Sequence, residues 1–355
     1  MRKTKKRTGS WLAVVVASAL TGLAGCSDDS PATDAGTEGG TIDPWAPQLS
    51  ATEDTGWLLS VWGPSPDDLY AVGGRFSAPS EGEAVRFDGT SWTPVDFGMP
   101  VPLLNWVYGF GPNDVTVVGD DGAVLHWDGA RWTRQSAPTD EQLWGVWGAA
   151  PNDLWAVGGR GFPDSEATIL RFDGTEWTRF ETPMLMRAGV RAFFKVWGTS
   201  ADNLYIVGQN GVVLHWNGSE LVEELVGTAE DLISLWGTGP DRIAAVGGRG
   251  NGVVATWNGT EWHSERLSPL PGLNGVWMRS PDVIHAVGIE GAVARIDFES
   301  RTYIEDLIEE FPSRHGFHAV FGDSASNLHA VGGNLAATAG PYSGFVYGRM
   351  LTSDE

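Results

Sequence analysis

From about residue 44 onward, the chain breaks into short apolar runs separated by clusters of Gly, Asn, Asp and Pro. Apolar runs of strand length predict β-strands, and the punctuation between them predicts tight turns. Only the acidic segment Tyr303–Phe311 offers a candidate helix. The runs recur in a fixed order. One opening phrase is written seven times: SVWGPSPDDLYAVGG (60–74), WVYGFGPNDVTVVGD (106–120), GVWGAAPNDLWAVGG (145–159), KVWGTSADNLYIVGQ (195–209), SLWGTGPDRIAAVGG (234–248), GVWMRSPDVIHAVGI (275–289) and AVFGDSASNLHAVGG (319–333). Its aromatic anchors are Trp62, Tyr108, Trp147, Trp197, Trp236, Trp277 and Phe321, spaced 46, 39, 50, 39, 41 and 44 residues apart. A period of that size indicates a repeat array or a propeller.

Each unit reads as four strands. Strand a carries V-W-G, a Pro-Asp-type turn leads to strand b (L-Y-A-V-G), and a glycine turn leads to strand c (V-L-H-W). Asp-Gly or Asn-Gly pairs at 88–89, 128–129, 173–174, 217–218 and 258–259 then turn the chain into strand d. Such pairs supply the positive φ that tight hairpins need. The expected fold is all-β: a seven-bladed β-propeller of four-stranded antiparallel blades over residues 44–352. The seventh repeat lacks its D-G-x-x-W strand. Trp45 lies 17 residues before Trp62, much as the strand-d tryptophans Trp92, Trp132 and Trp262 precede their next anchors. An N-terminal strand therefore completes the last blade and removes an open edge.

Of 18 tryptophans, 14 sit at recurrent positions. A residue present in blade after blade fills the gap between blades, whereas a ligand would single some blades out. These indoles are therefore read as core. The repeated His126 and His215, and His285 and His329, are read as packed or edge residues for the same reason. Trp106 and Trp144 escape this reasoning, because they stand at variable positions just ahead of the anchor.

Variation points to one face. Strand alternation puts the d–a and b–c connections together, and all the length variation falls there, in "GGRFSAPSEGEA", "GGRGFPDSEA" and "GGNLAATAGPYSG" among others. Grouped insertions mark the binding face of a repeat array. The candidate contact residues are Asn105, Trp106, Trp144, Phe194, Lys195, Asn274 and His318 at the mouth of the inner strands, with Arg187 and Arg191 in an adjoining loop. Lys195 is the sole lysine beyond residue 6. A basic cluster there could take a carboxylate or sulfate. Arg75, Arg160 and Arg249 recur as "GGR" in alternate blades.

The start of the chain changes the picture of where this propeller works. Residues 1–7 carry five cations, Trp11–Leu23 is apolar, and Leu23-Ala24-Gly25-Cys26 follows. That is an n-region, an h-region too short to span as a permanent helix, and a cleavage site. The sequence around Cys26, the only cysteine, resembles the bacterial lipoprotein lipobox. The resemblance implies removal of 1–25, lipidation of Cys26 and anchoring without a transmembrane helix. Residues 26–43 read as a flexible acidic tether, and Ser27 suggests sorting to the outer membrane. Removing the n-region leaves 18 Lys+Arg against 45 Asp+Glu, a charge of −27. Such a surface repels nucleic acid. With Cys26 in the anchor, no disulfide, thiolate nucleophile or Cys metal site remains. A monomer without cofactor or metal is expected.

The units resemble propeller repeats of exported bacterial proteins and lipoproteins and, more distantly, tectonin-type lectins. The D-G-x-x-W turns differ from the sialidase Asp-box, Ser-x-Asp-x-Gly-x-x-Trp, because Asp and Gly are adjacent here. The resemblance implies a fold and not an activity. The expected function is a non-enzymatic binding or scaffold lipoprotein whose partner is a protein or a glycan. The alternative is a propeller-type hydrolase or lyase that combines Arg187 and Arg191 with Glu81, Asp164 or Glu166.

Overall fold

The computed structural model describes residues 44–52, 56–352 and 355, which belong to one compact unit. The leader expected at 1–25, the lipidation expected at Cys26 and the tether expected over 26–43 lie outside the described residues. Twenty-eight strands make seven four-stranded antiparallel sheets. In six of them the strands follow chain order, as in blade one (Trp57–Ser65, Asp68–Arg75, Glu81–Phe87, Trp92–Pro94). The seventh sheet is ordered Ala46–Thr52, Gly344–Met350, Asn327–Gly333, Gly316–Gly322. Its outer strand comes from the other end of the chain, with Ala46 opposite Gly348 and Leu49 opposite Val346. Trp45 stands just before that strand, its ring 6.4 Å from Phe317. Every inner strand packs against the inner strand of the next blade, and the seventh packs against the first. The fold is a closed seven-bladed propeller.

Segment 303–311 is not helical. Tyr303–Glu305 is the outer strand of blade six, paired with Ala294–Ile296, and a loop follows. Tyr303 packs on the apolar cluster of that blade, so burial of one strand face outweighs the helical pattern of the acidic residues. Among the described residues the helical turns are Gln209–Gly211 and Ile289–Gly291, both in b–c connections.

The tryptophans sort into three structural roles, each tied to its repeat position. Anchor rings wedge against the next blade. A Cβ added to Gly109 would lie 2.7 Å from Trp62, one on Gly237 2.7 Å from Trp197, and one on Gly322 2.2 Å from Trp277. In blades two, five and seven the glycine of this phrase is thus the seat for the preceding blade's anchor. Strand-d indoles reach back instead. Trp132 meets Tyr70 at 6.2 Å and Trp262 meets Tyr205 at 5.9 Å, while Nε1 of Trp177 donates to Gln135 Oε1 (2.7 Å). In strand c, Trp127, Trp216 and Trp257 each donate to an a–b turn carbonyl, of Pro112, Ala201 and Pro240, at 3.1 Å. Every described tryptophan is buried or half-buried.

The c–d turns differ in detail from two-residue hairpin loops. Four residues lie between Phe87 and Trp92, and Asp88 Oδ1 accepts from the amides of Thr90 and Ser91 (2.9 and 2.8 Å). Only the glycine takes positive φ, +88° at Gly89. The carboxylate caps the turn itself, which is why Asp or Asn recurs. The recurrent histidines are similarly engaged: His126 with Asp114 at 3.0 Å, His329 with Asp323 at 3.1 Å, and His215 stacked 4.2 Å from Tyr205.

If anchor-on-glycine packing sets the blade spacing, Gly237→Ala forces a methyl into both the Trp197 ring and the Arg242 carbonyl (2.6 Å). Overpacking of this kind costs about 1–3 kcal/mol. Urea titration should show a lower midpoint for Gly237→Ala. Gly250→Ala, whose added methyl meets nothing within 4 Å, should leave it unchanged; equal midpoints would refute the wedge.

Candidate functional site

The inner strands share an irregularity. In all seven, register with strand b slips by one residue between the apolar residue four before the anchor and the residue two before it. The residue between is a β-bulge: Leu59, Asn105, Trp144, Phe194, Ile233, Asn274 and His318 in blade order. A bulge leaves its residue outside the ladder and re-aims the side chain. Here the bulges stand at the ring axis on the loop-rich face.

Orphaned bulge polar groups need partners, and neighbouring blades supply them. Asn105 Nδ2 donates to Leu143 O (3.1 Å), Asn274 Nδ2 to Phe317 O (2.8 Å), and His318 Nδ1 to Leu59 O (2.6 Å). Asn105, fully buried, also bonds Asp120 (3.2 Å). Burial raises the Asp120 carboxyl above its ordinary range, and the Asn105 amide opposes that shift. Three of the predicted contact residues are therefore rivets between blades as well.

Five bulge residues (Trp144, Phe194, Ile233, Asn274 and His318) line a cavity of about 430 Å³ together with Lys195, Arg160, Arg249, Gln209, Ile289 and Leu335. A second cavity of about 560 Å³ lies between the blade-six and blade-seven loops and shares Ile289, Leu335 and Ala336 with it. Trp144 is fixed by its Nε1 bond to Gly159 O (2.9 Å). Trp106 lies outside the lining and acts from below: Lys195 Nζ sits 3.1 Å from its ring centroid and donates to Trp144 O at 3.3 Å. Lys195 is 4% exposed. Burial pulls its ammonium well below the usual lysine range, while the indole face beneath favours the charged form.

The loop arginines do not gather at Lys195. Arg187 is bonded to Asn210 O, and Arg191 to Ser165 O at 3.4 Å; neither lines the cavity. The cations that do are Arg160 and Arg249, the "GGR" residues of blades three and five. Arg249 Nε is paired with Asp231 (2.9 Å), and its guanidinium lies 5.5 Å from the Phe194 ring. Arg160 bonds Asp140 O (2.6 Å) and lies near Glu141 and Asp121. The repetition of "GGR" was the available signal. Because b–c connections converge on the axis, position in that phrase predicts the cavity better than nearness to Lys195 in sequence. Glu81, Asp164 and Glu166 do not line the cavity, and Glu166 is paired with Arg179 at 2.6 Å. Among the described residues no cluster of three His, Cys, Asp or Glu could hold a metal ion.

No protein-family model matches the chain. Over 99 residues it is 29% identical to "Immune protein Tsi7" of Pseudomonas aeruginosa. That match covers 26% of this chain, which spans about 30% of the length of that relative. Among solved structures it is similar to YCF48 bound to a D1 peptide, with TM-score 0.63 and 18% identity over 88% of this chain and 98% of that one. YCF48 from Cyanidioschyzon merolae gives TM-score 0.61 and 13% identity, covering 86% and 98%. The C-terminal WD40 domain of Sif2 gives 0.55 and 12%, covering 87% and 99%. At these identities the likeness is one of fold.

Burial lowers the pKa of both His318 and His285 to about 4. Because the unfolded value is about 6.5, the unfolded chain binds more protons between these limits. Stability present above pH 6.5 is therefore lost as pH falls towards 4, by roughly 3 kcal/mol for the enclosed His285. Urea midpoints measured between pH 7 and pH 4.5 should fall, and more shallowly in His285→Leu. Parallel slopes in the two proteins would contradict the assignment.

Proposed function

We propose that the chain is a membrane-anchored, non-enzymatic binding propeller that presents its loop-rich face to a protein partner. The observation that carries this reading is where exposed apolar side chains lie. Of the nine large apolar side chains exposed among the described residues, six (Phe76, Phe162, Met184, Met186, Leu225 and Leu307) sit in b–c or d–a connections, with Met184 97% and Leu307 86% exposed; Val222, Ile304 and Met350 lie on strands. Apolar surface gathered on one face of an otherwise strongly acidic protein suits a protein interface better than a sugar site. The two adjoining cavities give that face a groove running from the axis towards blades six and seven. The YCF48 structure holding a peptide is a propeller of the same architecture, which supports the reading by analogy of fold only.

The hydrolase alternative requires two carboxylates about 5–10 Å apart flanking a substrate, and the axial cavity is lined by none. The formal net charge of −22 argues against nucleic acid as partner. Cys26 would carry the lipid, residues 26–43 would form the tether, and the outer membrane is the proposed site.

Two experiments test these points. Chemical cross-linking in the parent cell should capture a partner whose yield falls at least fivefold in Phe162→Glu/Leu307→Glu. It should be unchanged in Thr90→Arg/Thr175→Arg on the opposite turns. Equal loss on both faces, or binding on a glycan array without a protein partner, would overturn the reading. Separately, labelled palmitate should enter the full chain and be absent from Cys26→Ser; label persisting in that variant would refute the anchor.

A further inference from the structure

Lys195 presents a problem that the fold does not resolve. It is a buried amine with one hydrogen bond, to a carbonyl, one aromatic face and, among the described residues, no carboxylate in ion-pair contact. Its ammonium has three donors, so the Trp144 carbonyl and the Trp106 ring leave one unclaimed. An unpaired buried charge costs several kcal/mol, and such groups persist where a partner is to be bound. Packing alone does not call for it: the equivalent position in other blades holds Ser60, Trp106, Gly145, Ser234, Gly275 or Ala319.

Arg249 completes the arrangement. Asp231 accepts from its Nε at 2.9 Å, the guanidinium carbon lies 5.5 Å from the Phe194 ring centroid, and the side chain is 63% exposed, which leaves its terminal nitrogens open to a ligand. Lys195, Arg249 and His318 all line the same cavity, so the three groups converge on one space. His318 donates through Nδ1 to Leu59 O, which leaves Nε2 without a proton when the ring is neutral. Arg160, the third cation of the lining, already meets Glu141 and Asp121.

We propose that the axial cavity is a carboxylate-binding site in which Lys195 and Arg249 supply the counter-charge between Trp144 and Phe194. One cation lacking an acidic partner calls for a monoanion, and a guanidinium with free terminal nitrogens matches the planar fork of a carboxylate. The Trp144 and Phe194 rings would flank the flat group, with the buried Lys195 meeting it from below and the exposed Arg249 from the solvent side. The carboxylate could come from a chain terminus or from an acidic side chain. Only that source rests on the proposed protein partner; the chemistry of the cavity does not.

The test uses the full chain labelled with ¹³C at lysine Cε, in which the resonance missing from Lys195→Met identifies Lys195. Titration with benzoate should shift that resonance saturably, and benzamide, of the same shape without the charge, should not. Arg249→Gln should weaken benzoate at least about fivefold, as expected for loss of a charge-assisted contact. Lys195→Met should abolish benzoate binding by calorimetry while its melting temperature does not fall, since Met replaces an unpaired buried charge. A short peptide with a free terminal carboxylate, its amide, and an amide containing Glu then identify the source. Benzoate binding without either acidic peptide keeps the site and removes the peptide source. An unmoved Lys195 resonance at tens of millimolar benzoate, or an equal shift with benzamide, overturns the proposal.

Discussion

Closure of the ring is the constraint on which the rest depends. Seven four-stranded blades bury their faces only against one another, and a ring with an open edge would expose a ladder of amides and the apolar face behind it. The chain closes it by lending Ala46–Thr52 to the blade built from Gly316–Met350. With that strand in place, Trp62, Trp197 and Trp277 each have a glycine seat in the next blade, and Trp236 Nε1 donates to Met278 O there at 3.2 Å. No disulfide is needed, because aromatic area between blades provides the cross-links.

Closure also creates the site. Seven inner strands crowd one axis, and each relieves the crowding with a bulge at the same place. Bulges free carbonyls, and polar side chains from adjacent blades answer them, as Asn105, Asn274 and His318 do. Blades with Leu59, Ile233, Phe194 or Trp144 at the bulge leave apolar or aromatic wall instead. The mixture makes a cavity that is polar at fixed points and apolar elsewhere, the usual composition of a binding pocket. A rigid frame of this kind positions loops without itself changing, so the connections on the loop-rich face differ in length from blade to blade while the ring persists.

Much of this is legible in the sequence. The repeat period, the strand order, the role of Trp45 and the packing role of most indoles follow from residues that recur because every blade poses the same problem. Of the varying positions ahead of the anchor, Trp144, Phe194, Lys195, Asn274 and His318 line the axial cavity, and Asn105 and Trp106 do not. The bulge itself was not legible, since a one-residue slip leaves no mark in composition. For the same reason the inter-blade bonds of Asn105, Asn274 and His318 were hidden. The depth of Lys195 and its separation from Arg187 and Arg191 depend on the path of a long loop, which sequence adjacency misrepresents. Arg160 and Arg249 were visible as a repeated phrase, yet their convergence needed the ring. The short helix considered for residues 303–311 lost to strand pairing, because blade six requires an outer strand there.

The most direct test of this account is amide hydrogen exchange on a chain in which the closing strand is broken by Leu49→Pro, opposite Val346. If closure holds the ring, protection should fall in Gly344–Met350 and also in the inner strands Trp57–Ser65 and Gly316–Gly322 on either side of the seam. If loss of protection is confined to Ala46–Thr52 and the inner strands exchange as before, the blades stand independently and closure is not what organises the axis.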